Sequence, residues 1–241
     1  FDVCYIDPAR RGVEGERVYG LDDCSPNVVS LLPYISRISK RLIVKMSPML
    51  DITATLKSLP KTCRIIALGT TTECKELIAV VDFSEATDTP IIETVTIKPN
   101  DEKSTFAFTK NDEIVAQAMI AMPQAGDYLY IPYPSVMKAG GIKVLSERFR
   151  LSKPNANTQL FYSSESIEDF PGTRLKIVEV LPYASSVIKR LNRRYPAAMV
   201  SERNMGISSD VLRRKLAVRE GGDVRIIGFS AAKERYLLIA R

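Results

Sequence analysis

The 241-residue sequence contains no histidine and no tryptophan, and only four cysteines. Without imidazole, a Ser-His-Asp triad, a His-ligated metal and a histidine general base are excluded. Carboxylates, Lys, Arg, Ser, Tyr, Cys and backbone dipoles are left to carry any chemistry. Cys4, Cys24, Cys63 and Cys74 show no C-x-x-C spacing, so they encode neither a zinc ligand set nor a disulfide framework. No metal is expected, and reduced thiols of a cytoplasmic protein fit best. Long apolar runs are also missing: 65–68, 77–81 and 236–240 fall far short of the roughly 20 residues that cross a bilayer, so no membrane partner is expected. The start, Phe-Asp-Val-Cys-Tyr-Ile, has no basic n-region, no long apolar stretch and no initiator Met. It reads as a strand rather than a signal peptide, and the chain is expected to be a fragment of a longer one.

What is present is core-forming material, 45% hydrophobic residues, and an uneven charge. Residues 174–241 carry 15 Lys and Arg against 6 Asp and Glu, whereas 1–173 carry 19 against 22. A basic C-terminal third behind a mildly acidic body suggests a separate unit that faces a polyanion, most plausibly nucleic acid.

The first strand, 1–6, stops at Asp7-Pro8-Ala9-Arg10-Arg11. Ser25-Pro26 reads as an N-cap followed by Pro at the first helical position, opening a helix that Pro33 would kink or split. A strand over 41–46 meets a second polar break, Ser47-Pro48, before a helix capped by Asp51 and a third strand over 63–70. This alternation predicts a parallel sheet with crossover helices, both breaks lying on one edge, where open α/β sheets bind ligands. The next strands, 73–83, 90–98 and 105–109, are expected to pair antiparallel. Residues 111–134 mix a short helix with a strand around 128–131, and 135–149 have the spacing of one amphipathic helix despite Gly140-Gly141. From 173 the pattern is a compact βαβαββ unit. Its helices carry Lys189, Arg190, Arg193 and Arg194, then Arg213, Arg214 and Lys215, on their polar faces. The expected segments are thus 1–110, 111–172 and 173–241.

A strand ending in Asp-Pro-Ala-Arg ahead of further α/β units resembles the D/N-P-P-x motif of class I S-adenosylmethionine-dependent methyltransferases. Together with Lys45-x-Ser47-Pro48, 73–76 and the basic end, it is similar to bacterial methyltransferases with a C-terminal THUMP-like domain. The resemblance implies the C-terminal part of a Rossmann-like methyltransferase sheet followed by a small α+β domain of RNA-binding type. It implies S-adenosylmethionine as cofactor, with most of its site before residue 1, because no G-x-G-x-x-G occurs in the chain. Asp7 and Pro8 would orient the acceptor, Arg10, Arg11, Lys45, Ser47 and Pro48 would contact substrate, and the seven helix cations would grip RNA phosphates. Ala9 stands where the family commonly has a second proline, so the motif does not identify the acceptor atom.

Blander readings stand beside these. Asp7-Pro8 can be a turn, Arg10 and Arg11 can pair with Glu14 and Glu16, and Cys74 fits a structural thiol better than a nucleophile. Tyr130 and Tyr133 suit core packing better than base stacking. A non-enzymatic RNA-binding protein on an α/β scaffold is the main alternative.

Overall fold

The computed structural model describes residues 1–9, 21, 24–85 and 87–241. It divides into two compact units, residues 1–115 with 133–141, and residues 116–132 with 142–241. Composition divides the chain elsewhere, at 110 and 172.

The first unit holds β1 (Val3–Ile6), α1 (Val28–Ile38), β2 (Arg41–Met46), α2 (Ile52–Ser58), β3 (Thr62–Thr70), β4 (Cys74–Asp82), β5 (Ile91–Ile97), β6 (Lys103–Thr109), α3 (Lys110–Val115) and α4 (Pro134–Ala139). Its sheet runs β1-β2-β4-β3-β5-β6. β1 and β2 are parallel, as strand-helix-strand alternation requires. β4 departs from the expected order. It folds back from β3 and inserts antiparallel between β2 and β3, so β2 and β3 are not neighbours. β5 then pairs parallel to β3 rather than antiparallel to β4, and only β6 continues as a hairpin.

Helix starts follow local capping. The Asn27 side chain accepts from the Ser30 amide at 2.9 Å, so the N-cap of α1 is Asn27 and not Ser25. Pro33 lies inside α1 without dividing it. Asp51 caps α2, accepting from the Ala54 amide at 2.7 Å.

Every second strand residue faces a packed layer: Leu42 and Val44, Ile65 and Ala67, and Leu77, Ala79 and Val81 are fully buried. α4 lies over this face, where its buried Ser135 hydroxyl meets Thr96 of β5 at 2.6 Å. The alternate residues, among them Ile43, Lys45, Ile66, Ile78 and Val80, keep partial exposure, and Tyr5 of β1 is exposed.

The second unit holds β7 (Met119–Ile120), β8 (Tyr128–Pro132), α5 (Ile142–Arg148), β9 (Ser152–Lys153), β10 (Phe161–Ser163), β11 (Gly172–Pro182), α6 (Ser185–Arg194), β12 (Met199–Arg203), α7 (Ser209–Leu216), β13 (Arg225–Ala231) and β14 (Glu234–Ala240). Its sheet runs β12-β13-β14-β11-β8-β10-β9-β7. The βαβαββ order from 173 is present as read. One face packs Ile226, Leu237 and Ile239 against Leu191 of α6 and Leu212 and Leu216 of α7. The other packs Ile227, Phe229 and Leu238 with Leu129, Leu160 and Tyr162.

The single helix expected over 135–149 is two. Gly140 adopts a left-handed φ of 83° and ends α4 as its C-cap, and α5 starts at Ile142 in the other unit. A side chain at Gly141 would meet the Phe108 ring at 2.5 Å, so close packing fixes glycine at that position.

Candidate functional site

The carboxyl end of the parallel β1–β2 pair gathers three charged side chains. Ile6 registers with Val44, which sets the next residue, Asp7, beside Lys45. The Lys45 ammonium lies 2.6 Å from Asp7 Oδ2 and 3.6 Å from Glu76 Oε1 of β4. Glu76 reaches the site because β4 runs antiparallel beside β2: Ile78 registers with Lys45, and Glu76 stands two residues along on the same face. Lys45 is only 27% exposed, Glu76 32% and Asp7 48%. The hydrogen bond to Asp7 raises the Lys45 pKa against the opposing effect of burial, with Glu76 adding to the rise, so this cation stays charged throughout the neutral range.

Pro8 is buried, and its ring fixes the backbone direction leaving β1. Ala9 exchanges both backbone hydrogen bonds with Ser25, at 2.8 and 3.1 Å, so the chain is pinned directly after the Asp7-Pro8 step. Arg10 and Arg11 lie outside the described residues. Ser47 is engaged in a turn, its hydroxyl accepting from the Met49 amide at 3.2 Å and its carbonyl from Leu50. It brings the chain round to the Asp51 cap, with Pro48 inside the turn.

The structure therefore gathers Asp7, Pro8, Lys45, Ser47 and Pro48 on one sheet edge, and adds Glu76, which sequence reasoning did not select. The signal for Glu76 was available only after pairing, because its neighbour across the sheet is non-local. Cys74 is half-buried, with its thiol facing the carbonyls of Leu68 and Glu76 at 3.7 and 3.8 Å. Burial pushes that thiol's pKa up despite nearby Lys138, the opposite of what an attacking thiolate needs.

In the second unit the seven helix cations separate into two groups. Arg190 and Arg194 both reach Glu179 of β11, Arg190 at 3.8 Å. Arg213 pairs with Asp210 at 3.0 Å and with Glu220, and Arg214 Nε donates to the Asp210 carbonyl at 3.4 Å. Lys189, Arg193 and Lys215 make no ion pair among the described residues and border a groove between α6 and α7. Tyr130 is buried, its hydroxyl donating to the Glu165 carbonyl at 2.7 Å and accepting from the Ile167 amide at 2.8 Å, and Tyr133 is buried as well. Neither offers a ring to a base. Tyr128, which sequence reading passed over, lies under the Lys176 ammonium at 3.6 Å and the Arg174 guanidinium at 5.5 Å.

A cofactor cradle would show as glycines whose backbone faces open space in an ordinary conformation. Among the described residues, the glycines that admit no side chain are closed by this chain itself. Gly69 meets the Glu73 carbonyl, Gly141 Phe108, Gly172 Ile131 and Gly228 Met205. Among the described residues, the glycines offer no cradle for a nucleotide-type cofactor. No group of His, Cys, Asp and Glu among the described residues could hold a metal ion, and no described helix is long and apolar enough to cross a membrane.

Comparison with known proteins divides the chain differently, with a boundary at 171/172 inside the second unit. Residues 128–171 match a ferredoxin-like domain family and residues 172–241 a THUMP domain-like family. No curated protein matches the chain. The crystal structure of a "putative methyltransferase from Porphyromonas gingivalis W83" superimposes with a TM-score of 0.89 at 30% sequence identity, covering 100% of this chain and 59% of that one. The chain thus has the mixed α/β fold of the corresponding 59% of that structure, ending in a unit similar to THUMP-like domains.

Proposed function

We propose that this chain is the acceptor-side part of a cytoplasmic S-adenosylmethionine-dependent methyltransferase that acts on RNA. The observation that carries the reading is the likeness along the whole chain to a structure called a methyltransferase. The Asp7–Lys45–Glu76 cluster supplies a place for the chemistry. The rest of the full-length protein would hold most of the methyl donor, since the described glycines of this chain offer it no cradle.

Methyl transfer needs in-line positioning of a nucleophile more than a strong base. Asp7, half-exposed at a strand's carboxyl end, presents a carboxylate that can accept a hydrogen bond from an acceptor N–H or O–H. Lys45 holds that carboxylate in place and Glu76 holds Lys45, so Glu76 is a positioning residue. Buried Pro8 keeps the backbone, and with it the Asp7 side chain, in one direction. The basic second unit would hold the RNA.

The test is transfer of labelled methyl from S-adenosylmethionine to RNA by the full-length gene product, beside its Asp7→Ala and Asp7→Asn variants. Asp7→Ala should lower turnover by about a hundredfold or more, as loss of an orienting contact does, with unchanged thermal unfolding. Unaltered turnover would remove Asp7 from the site. RNA binding with no methylated product would make the chain a non-enzymatic RNA-binding protein.

A further inference from the structure

We infer that the groove between α6 and α7 is a backbone-phosphate site for single-stranded RNA, built by Lys189, Arg193 and Lys215; this rests on the reading of the second unit as RNA-binding. The groove encloses about 240 Å³. Of the seven cations on the two helices, these three line it; they have no carboxylate partner among the described residues, and neither has Arg214, which lies outside the groove and donates to the Asp210 carbonyl. Their neighbours show that partners are within reach on this surface: Glu179 takes Arg190 and Arg194, and Asp210 and Glu220 take Arg213.

Lys189 and Arg193 are four residues apart on α6, so they stand one above the other, an arrangement of like charges that disfavours the helix. Lys215 adds a third positive charge from α7. The helix dipole accounts for part of this, since Arg193 and Lys215 lie in last turns where cations are favoured. It does not account for Lys189, one turn earlier. An anion in the groove relieves all three repulsions at once.

The carbonyls at the end of α7 would repel such an anion, but two of them, at Leu216 and Ala217, are engaged. Asn192 donates both amide hydrogens across the groove, to the Leu216 carbonyl at 3.1 Å and the Ala217 carbonyl at 2.7 Å. Among the described residues, no aromatic side chain lines the groove, so these offer no stacking surface for a base. Its chemistry is that of a phosphodiester contact, blind to sequence. The THUMP-like similarity of this unit favours RNA as the polyanion.

The test measures binding of unstructured RNA oligonucleotides of two unrelated sequences to the full-length gene product across a salt series. The probe variant is Lys189→Gln with Arg193→Gln and Lys215→Gln. The control removes three lysines of the first unit, Lys57→Gln, Lys98→Gln and Lys103→Gln. The groove variant should bind both RNAs about tenfold or more weakly, and its salt slope should be shallower by about 2, near 0.7 for each lost single-strand phosphate contact. Lys189→Gln alone, a single change at an exposed position, should weaken binding of both RNAs and lower the slope by about 0.7, which keeps the test decisive should the triple variant misfold. Equal loss in groove and control variants would show a net-charge effect and overturn the site, as would an unchanged slope in a folded groove variant; in both cases the RNA reading survives. Absence of RNA binding by the unaltered protein would overturn that reading and the groove with it.

Discussion

The two units use the same kind of strand and cover it differently. Leu42-Ile43-Val44 and Leu77–Val81 in the first unit, and Ile226-Ile227 and Leu237–Ala240 in the second, are near-continuous apolar runs of the type found where both faces of a sheet are covered. In the second unit both faces are indeed packed, by α6 and α7 on one side and by Leu129, Leu160 and Tyr162 on the other. In the first, one residue of each pair is fully buried while its neighbour keeps partial exposure: Leu42 against Ile43, Ala79 against Ile78. An apolar run therefore reports a demand for cover and does not say where the cover comes from.

Core truncations test that contrast most strongly. Phe229 is fully buried in the second unit, stacked on Tyr236 with ring centroids 5.5 Å apart. Phe229→Ala should cost about 3–5 kcal/mol, read as a drop in the denaturation midpoint of the second unit. In the first unit, Leu42→Ala should cost about 2–5 kcal/mol, whereas Ile43→Ala on the half-exposed face should cost less than about 1.5 kcal/mol. Equal losses at 42 and 43 would mean that both faces of this sheet are covered in solution.

How much was legible in the sequence depended on how local each feature is. The βαβαββ order from 173 was readable because its helices alternate apolar and basic faces and start at local signals such as the Ser208 cap, which accepts from the Val211 amide at 3.3 Å. The insertion of β4 was not. Its turn at 71–73 specifies a hairpin with β3, but its second partner, β2, is chosen by distant packing. The break at Gly140 was hidden because the apolar spacing runs on through it, each half supplying apolar residues to a different unit. At the candidate site, Asp7, Lys45 and Ser47 were readable from their places at strand ends. Glu76 depended on the same non-local pairing as β4.

A smaller effect lies under α4. The Thr94 hydroxyl is buried on the covered face of the first unit and has no hydrogen-bond partner among the described residues. Thr94→Val keeps the shape and removes an unpaired polar atom, so it should raise stability by about 1 kcal/mol. A loss of stability would show that the hydroxyl finds a partner that the packing does not reveal.

The smallest effect is a dependence on acid at the far end of the same sheet. Asp82 of β4 stands opposite Arg41 of β2, 2.8 Å from its Nε, and also accepts from the Ser84 hydroxyl and, at 3.0 Å, the Ser84 amide. Ser84 and then Arg41 hold its carboxyl well below the usual carboxylate range. A folded value below the unfolded value of about 3.9 means that the unfolded state takes up the proton first. The stabilisation is thus complete above that value and lost as pH falls toward the folded one. Asp82→Asn removes the titration, so between about pH 5 and pH 2 the first unit of the variant should lose stability less steeply than the parent. The second unit, which shares neither Arg41 nor Ser84, should respond identically in both proteins. An acid dependence that is unchanged in the variant would mean that Arg41 and Ser84 do not hold Asp82 in solution, and that this end of the sheet is fixed by Val81 and its apolar neighbours alone.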